Sequence, residues 1–147
     1  MGIHRSFVSA LCVLVVIIAC GGGGSQEHVG TACTTATQCY PTLDAAAVKG
    51  TVTCLTKYPG GYCTHTCTVD ADCCSVQGEC KTGFKQLCAP LENQPSQYCF
   101  LSCETADITA APNGGVMDPN AYCQKFFASS STCRSTGGGA NNRKFCG

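Results

Sequence analysis

The chain contains no tryptophan, only three histidines, and few charges: nine basic and nine acidic residues in 147. A balanced, sparse charge set offers no basic stripe for nucleic acid and no field to steer a strongly charged substrate. From Cys33 to the C-terminus, Val, Leu, Ile and Phe together supply 16 of 115 residues. That is below the roughly 20% at which a chain struggles to bury enough apolar surface to fold on its own. Burial at ~25 cal/mol per Å² then cannot offset conformational entropy by itself. Cys-x₂-Cys is also missing, so the paired knuckles of zinc ribbons and the thioredoxin-type redox motif have no counterpart. No apolar run reaches the about 20 residues of a spanning helix.

What is present in excess is cysteine, 16 residues of 147. Cysteine at that density in a short chain predicts a disulfide scaffold, each bridge constraining the unfolded state by typically ~2–4 kcal/mol. The N-terminus supports an oxidising destination. His4 and Arg5 precede an uncharged apolar run, Phe7 to Ala19, whose length fits the core of an export signal, about 7–15 residues. Met1-Gly2 with Ser6 also matches an N-myristoylation pattern. That reading implies a cytosolic chain, where abundant disulfides do not persist, and leaves the apolar run unexplained.

The end of the run, Ile17-Ile18-Ala19-Cys20, resembles the lipobox of bacterial lipoproteins. The resemblance covers about the first 25 residues and implies cleavage before Cys20, diacylglyceration of its thiol and acylation of the new amine. Several acyl chains at ~0.8 kcal/mol per buried CH₂ would anchor the chain firmly in a membrane. Gly21, where an Asp would retain such a lipoprotein at the inner membrane, implies the outer membrane. Gly21-Gly22-Gly23-Gly24-Ser25 reads as a flexible tether. The expected organisation is a signal peptide at 1–19, a lipidated cysteine and tether at 20–32, and a disulfide-rich domain at 33–147.

With Cys12 in the signal and Cys20 consumed by lipid, fourteen cysteines remain: Cys33, Cys39, Cys54, Cys63, Cys67, Cys73, Cys74, Cys80, Cys88, Cys99, Cys103, Cys123, Cys133 and Cys146. The number is even, so seven bridges can form with no leftover thiol. Fourteen cysteines allow on the order of 10⁵ pairings, and spacing does not choose among them. The vicinal Cys73 and Cys74 are expected to pair outward in different directions. A weak internal repeat of about 35 residues is visible, the last copy being degenerate. Cys33-Thr34 to Cys39 echoes Cys67-Thr68 to Cys73, and Tyr62-Cys63-x₃-Cys67 echoes Tyr98-Cys99-x₃-Cys103.

The expected fold is small, disulfide-rich and irregular, with short β-hairpins and one C-terminal helix. Thr51–Leu55 and Tyr62–Thr66, joined by the turn Tyr58-Pro59-Gly60-Gly61, predict a hairpin. Leu43 to Lys49 predicts a helical turn or two. Asp118 to Ala128 predicts the helix, with Asp118 as cap and Pro119 in the first turn. Ser129 to Thr132 ends it, and a Gly/Asn-rich loop spans Thr136 to Asn142.

Sites of possible chemistry are few. His65 is the only histidine inside the domain; with no free thiol expected, it reads as an exposed turn residue rather than half of a Cys–His pair. Asp70, Asp72 and Glu79 read as an exposed acidic turn. A calcium loop of the EF-hand kind would need oxygen and glycine where Cys74 and Ser75 stand. The segment Cys67 to Cys80, preceded by Gly61-Tyr62-Cys63, resembles cysteine-rich bacterial envelope lipoproteins, mostly uncharacterised. It also resembles parts of whey-acidic-protein and knottin modules, which are protease inhibitors or toxins. In that second case Cys63, Cys67, Cys73, Cys74, Cys80 and Cys88 would form a knot, although seven residues between Cys80 and Cys88 depart from the tight knottin spacing.

The sequence therefore predicts a non-catalytic envelope lipoprotein carrying a binding or structural module. Tyr58, Tyr62 and Tyr98 stand as exposed contacts for an unknown protein partner. No cofactor, metal or nucleic acid is expected. A secreted inhibitor or toxin is the alternative, and a small exported hydrolase a third reading.

Overall fold

The structure is a computed structural model that describes residues 29–91, 95–115, 117–137 and 142–147. The segment expected to be an export signal, Cys20 and the expected tether as far as His28 lie outside the described residues, as does most of the Gly/Asn-rich loop. Six short strands form two antiparallel sheets: β1 (Val52–Cys54), β2 (Cys63–Cys67), β3 (Gln86–Pro90), β4 (Gln97–Leu101), β5 (Cys133–Ser135) and β6 (Lys144–Cys146). The first four make one sheet in the order β1-β2-β4-β3, and β5 pairs with β6. Two helices, α1 (Thr105–Ala110) and α2 (Pro119–Phe126), and two 3-10 turns, Ala36–Gln38 and Asp70–Cys74, are the other elements of the described residues. Among the described residues, no helix is long and apolar enough to cross a membrane.

All fourteen cysteines from Cys33 onward are paired, in seven bridges. Six of them repeat one scheme three times. In residues 33–63 the pairs are Cys33–Cys54 and Cys39–Cys63; in 67–99, Cys67–Cys88 and Cys73–Cys99; in 103–146, Cys103–Cys133 and Cys123–Cys146. Each unit thus links its first cysteine to its third and its second to its fourth. The third and fourth cysteines lie directly opposite each other across a hairpin every time: Cys54 and Cys63, Cys88 and Cys99, Cys133 and Cys146. The first bridge spans 5.9–6.0 Å between Cα atoms in all three units and the second spans 5.3 Å. Each unit is a helical segment stapled by both its ends to neighbouring strands. The seventh bridge, Cys74–Cys80, stands outside the scheme.

Local chemistry explains why the first two units start alike. Gln38 Oε1 accepts from the Thr34 and Thr35 N–H groups at 2.6 and 3.3 Å and from the Thr34 hydroxyl at 3.0 Å. Asp72 Oδ2 accepts from the Thr68 and Val69 N–H groups at 2.9 and 3.1 Å and from the Thr68 hydroxyl at 2.8 Å. In both, a side-chain oxygen satisfies N–H groups left unpaired at the start of a helical turn. The hairpin of the first unit turns at Tyr58–Gly61. Gly61 sits at φ 73°, and a Cβ there would fall 1.8 Å from the Cys33 carbonyl oxygen.

No disulfide joins one unit to another. The connections are the short stretches between Cys63 and Cys67 and between Cys99 and Cys103, and burial protects them: Thr64, His65, Phe100 and Ser102 have no exposed surface. Strands β2 and β4 join the first two hairpins into one sheet through Thr66 opposite Tyr98 and Cys67 opposite Gln97. An aromatic column then ties the third unit on. Phe127 stacks on Tyr62 at 4.3 Å between ring centroids, Tyr62 lies 5.6 Å from Phe100, and Phe100 lies 4.7 Å from Phe145. The scarce apolar residues are thus concentrated where units meet, while cystines fill the unit interiors.

Some local expectations are corrected. Tyr58 and Tyr62 are 7% and 1% exposed and belong to the core, and Tyr98 is half-buried, so the three do not form an exposed contact set. Leu43 to Lys49, expected as a helical turn or two, holds isolated turns: Leu43 N–H reaches the Tyr40 carbonyl, Ala47 N–H reaches that of Asp44, and no continuous ladder follows. Asp44 closes a local turn onto Ala46 N–H, the side-chain bond by which Asp competes with helix. The predicted C-terminal helix is α2, with Asp118 accepting from Asn120 and Ala121 N–H. The short α1 has no clear periodic signal.

Candidate functional site

The chemistry-bearing side chains converge at the joint between the first two units. Strand β2 carries His65 into the interior, where it is fully buried, so it is not an exposed turn residue. The loop 74–80 carries Glu79 to it. His65 Nε2 lies 2.6 Å from Glu79 Oε1, and neither side chain has exposed surface. His65 Nδ1 lies 2.9 Å from the Thr66 carbonyl oxygen. A carbonyl can only accept, and so can an ionised carboxylate. The imidazole must therefore donate from both nitrogens, or Glu79 must hold the proton of the short Nε2–Oε1 contact. In either arrangement the pair keeps one shared proton and is neutral overall. Burial pulls the His65 pKa down, but the hydrogen bonds to Glu79 and the Thr66 carbonyl outweigh it, leaving the pKa raised.

The surroundings of the pair are closely specified. Glu79 Oε2 accepts from Val76 N–H at 2.9 Å and from the Ser75 hydroxyl at 3.4 Å. The ring of Tyr40 meets His65 edge-on at 6.2 Å. Burial, followed by the Glu79 charge, holds the Tyr40 phenol far above its ordinary pKa. Cys99 Sγ lies 3.4 Å from His65 Nε2. Cysteine, histidine and glutamate thus meet, but not as a nucleophile–base–orienter series. The same imidazole nitrogen faces both the sulfur and the carboxylate, and the sulfur is bonded to Cys73. The arrangement can hold a proton and fix the register of β2 against the second unit.

The three acidic residues do not form an exposed cluster. Asp72 and Glu79 are buried and Asp70 is partly buried, each with its own partners. Asp72 serves the turn described above and lies 3.5 Å from Lys49 Nζ. The Thr68 N–H and hydroxyl, then the Val69 N–H, hold its carboxyl well below the usual range. Asp70 Oδ1 accepts from Cys88 N–H at 2.9 Å, and Asp70 Oδ2 lies 2.7 Å from Arg143 Nη2 in the third unit. Burial raises the Asp70 pKa, but the bonds from Arg143 and Cys88 N–H prevail and lower it. Since Asp70 covers the outer face of β3 and Pro90 has no N–H to offer, this sheet edge is partly closed to further pairing.

An open trough of about 680 Å³ runs beside the joint, lined in part by Lys49, Thr66, Thr68, Asp72 and Gln97. Its polar groups are largely engaged with one another: the Thr66 hydroxyl accepts from Thr51 N–H, and Thr68 and Lys49 both serve Asp72. Among the described residues, the cysteine sulfurs that approach one another in threes belong to bridges, which occupies the lone thiolate chemistry a metal would need.

The six cysteines of the knottin-like segment do not pair among themselves in a knot. Cys63 bonds back to Cys39 and Cys73 forward to Cys99, leaving only Cys67–Cys88 and Cys74–Cys80 inside the segment. The vicinal cysteines diverge, Cys73 into the core and Cys74 to the surface. No spacing rule marks His65 and Glu79 as partners. The one available signal is that each adjoins a cysteine-dense stretch whose bridges bring them together. No protein-family model matches the chain, and neither does any curated protein or solved structure.

Proposed function

We propose that the chain is an exported protein, anchored in a bacterial cell envelope by lipid on Cys20, that displays a non-catalytic, disulfide-stapled module for binding or structural support. The observation that carries this reading is the complete pairing of the fourteen cysteines downstream of Cys20. A fold with seven bridges belongs in an oxidising compartment. The lipobox-like Ile17-Ile18-Ala19-Cys20 gives a route there and a use for the cysteine left over. The burial of His65 and Glu79 at a joint supports a structural role for the most reactive side chains. Outer-membrane placement follows from Gly21 on the same resemblance.

The test is the intact mass of protein purified from its native envelope, with and without alkylation before reduction. A chain beginning at Cys20, carrying acyl mass and taking up no alkylating agent, is the expected result. An unacylated mature chain would remove the anchor and favour a secreted protein.

A further inference from the structure

The bridge Cys74–Cys80 differs from the other six in the exposure of one of its cysteines, in its sequence separation and in its place in the fold. Among the fourteen cysteines only Cys74 is exposed, and Cys80 is partly buried. Its sequence separation is 6, against 21 to 30 for the others, so it constrains the unfolded chain least. It also lies outside the crossed pairs that staple each helical segment to its hairpin, so breaking it leaves every unit closed.

What the bridge closes is the loop that delivers Glu79 to His65. Within that loop Glu79 takes Val76 N–H on its carboxylate and gives its own N–H to the Val76 carbonyl at 3.1 Å. Its carbonyl accepts Val29 N–H at 2.9 Å, which ties down the segment leading into the first unit. The loop is thus a plug in the joint, held in shape at its base by Cys74–Cys80.

We infer that Cys74–Cys80 is a thiol–disulfide exchange site for an external dithiol, and that its reduction loosens the Glu79 plug and with it the joint between the first two units. One thiolate of the dithiol attacks Cys74 Sγ, forming a mixed disulfide as Cys80 leaves as thiolate. The second thiolate attacks the reductant's own sulfur in the mixed disulfide and releases Cys74 as thiolate. The dithiol is oxidised by two electrons to its disulfide, and Cys74 and Cys80 take up those electrons and, on protonation, two protons. Oxidation by a disulfide of the same class restores the plug.

The first test titrates the intact, folded protein with dithiothreitol, quenches with an alkylating agent and maps the labelled peptides. Cys74 and Cys80 should be labelled first, at least about 10-fold faster than any other cysteine, as exposure controls access to attack. First labelling of the half-buried Cys67–Cys88 pair, or simultaneous labelling of all fourteen, would overturn the proposal. The second test measures amide hydrogen exchange in β2 on the singly reduced, alkylated protein and on C74S/C80S, which keeps the six repeated bridges. Exchange at Thr64 to Thr66 should quicken by at least about 10-fold. The His65 imidazole should also titrate nearer the ordinary histidine value. Unchanged exchange and titration in the alkylated wild-type protein would refute the coupling even if C74S/C80S did not fold.

Discussion

The first and second units meet through polar groups, whereas the third meets them through rings. At the first joint, Thr64 donates its hydroxyl to the Cys99 carbonyl at 2.8 Å, two residue pairs extend the sheet, and His65 and Glu79 are hydrogen-bonded in the interior. At the second, Phe84 packs 4.9 Å from Phe126, Phe127 and Phe145 cap the aromatic column, and an ion pair, Asp70–Arg143, is partly exposed. A polar joint fixes one geometry because each donor has one acceptor, but it answers to protons. The rings of an aromatic joint tolerate small shifts and do not themselves titrate. Neither is cross-linked by a disulfide, so the molecule consists of three stapled bodies whose relative placement rests on the short connecting stretches and ordinary packing.

Breaking the polar joint should have the largest effect. Glu79→Ala leaves a buried imidazole without its partner and should cost about 3–5 kcal/mol in denaturant unfolding. The double change His65→Leu with Glu79→Leu should recover most of that loss, since a well-packed apolar pair often replaces a buried ionic one at little cost. A double variant as unstable as Glu79→Ala alone would show that the pair supplies more than charge compensation.

At the aromatic joint, Phe84→Ala should cost about 3 kcal/mol, the low end for a buried phenylalanine because its ring lies near the surface. Lys81 Nζ stands 4.9 Å from that ring. The loss should be the same at pH 6 and pH 9.

The polar joint should respond to the same pH change in a defined direction. The folded-state pKa of His65 is raised, so its stabilising contribution is fully present below the unfolded value, about 6.5, and is lost as pH rises through the folded value. Unfolding free energy measured against pH should therefore decline on the alkaline side of about 6.5, and the decline should vanish in the His65→Leu, Glu79→Leu variant. On the acid side, Asp70 and Asp72 act oppositely. Their lowered pKa values give stability that is present above the ordinary carboxylate range and lost as pH falls through the folded values.

The smallest effects belong to the exposed ion pair. Asp70→Ala should cost about 1–3 kcal/mol, because it strips the Cys88 N–H of its acceptor. Arg143→Ala, which removes only the partly exposed charge, should cost less than about 1 kcal/mol and fade in high salt. Equal losses for the two would show that the ion pair, not the backbone bond, is what Asp70 provides.

The degree to which these features were legible in the sequence follows from their range. The hairpin of β1 and β2 and the helix α2 depend on neighbours: alternating Thr and Val, a Pro-Gly-Gly turn, and Asp118 with Pro119. The Thr34 and Thr68 turns likewise depend on residues three and four positions away. The burial of Tyr62 and His65 does not. An aromatic ring beside a turn is exposed in isolation; Tyr62 is covered because Phe127, 65 positions later in the numbering, stacks on it. The acidic turn read as solvated because no residue within it offers a cationic partner, yet Arg143 and His65 reach it from elsewhere in the fold.

By itself the sequence determined that the fold is cross-linked, since too few aliphatic residues leave no other source of stability, and it determined the short-range turns, whose partners lie within a few positions. Only the tertiary structure decided which cysteine meets which, for pairing depends on distance in space, and on the order of 10⁵ pairings share one spacing. It also decided that His65 and Glu79 are hydrogen-bonded in the interior of a joint. Burial is a property of what packs against a residue, and here that is supplied by separate units folding onto one another.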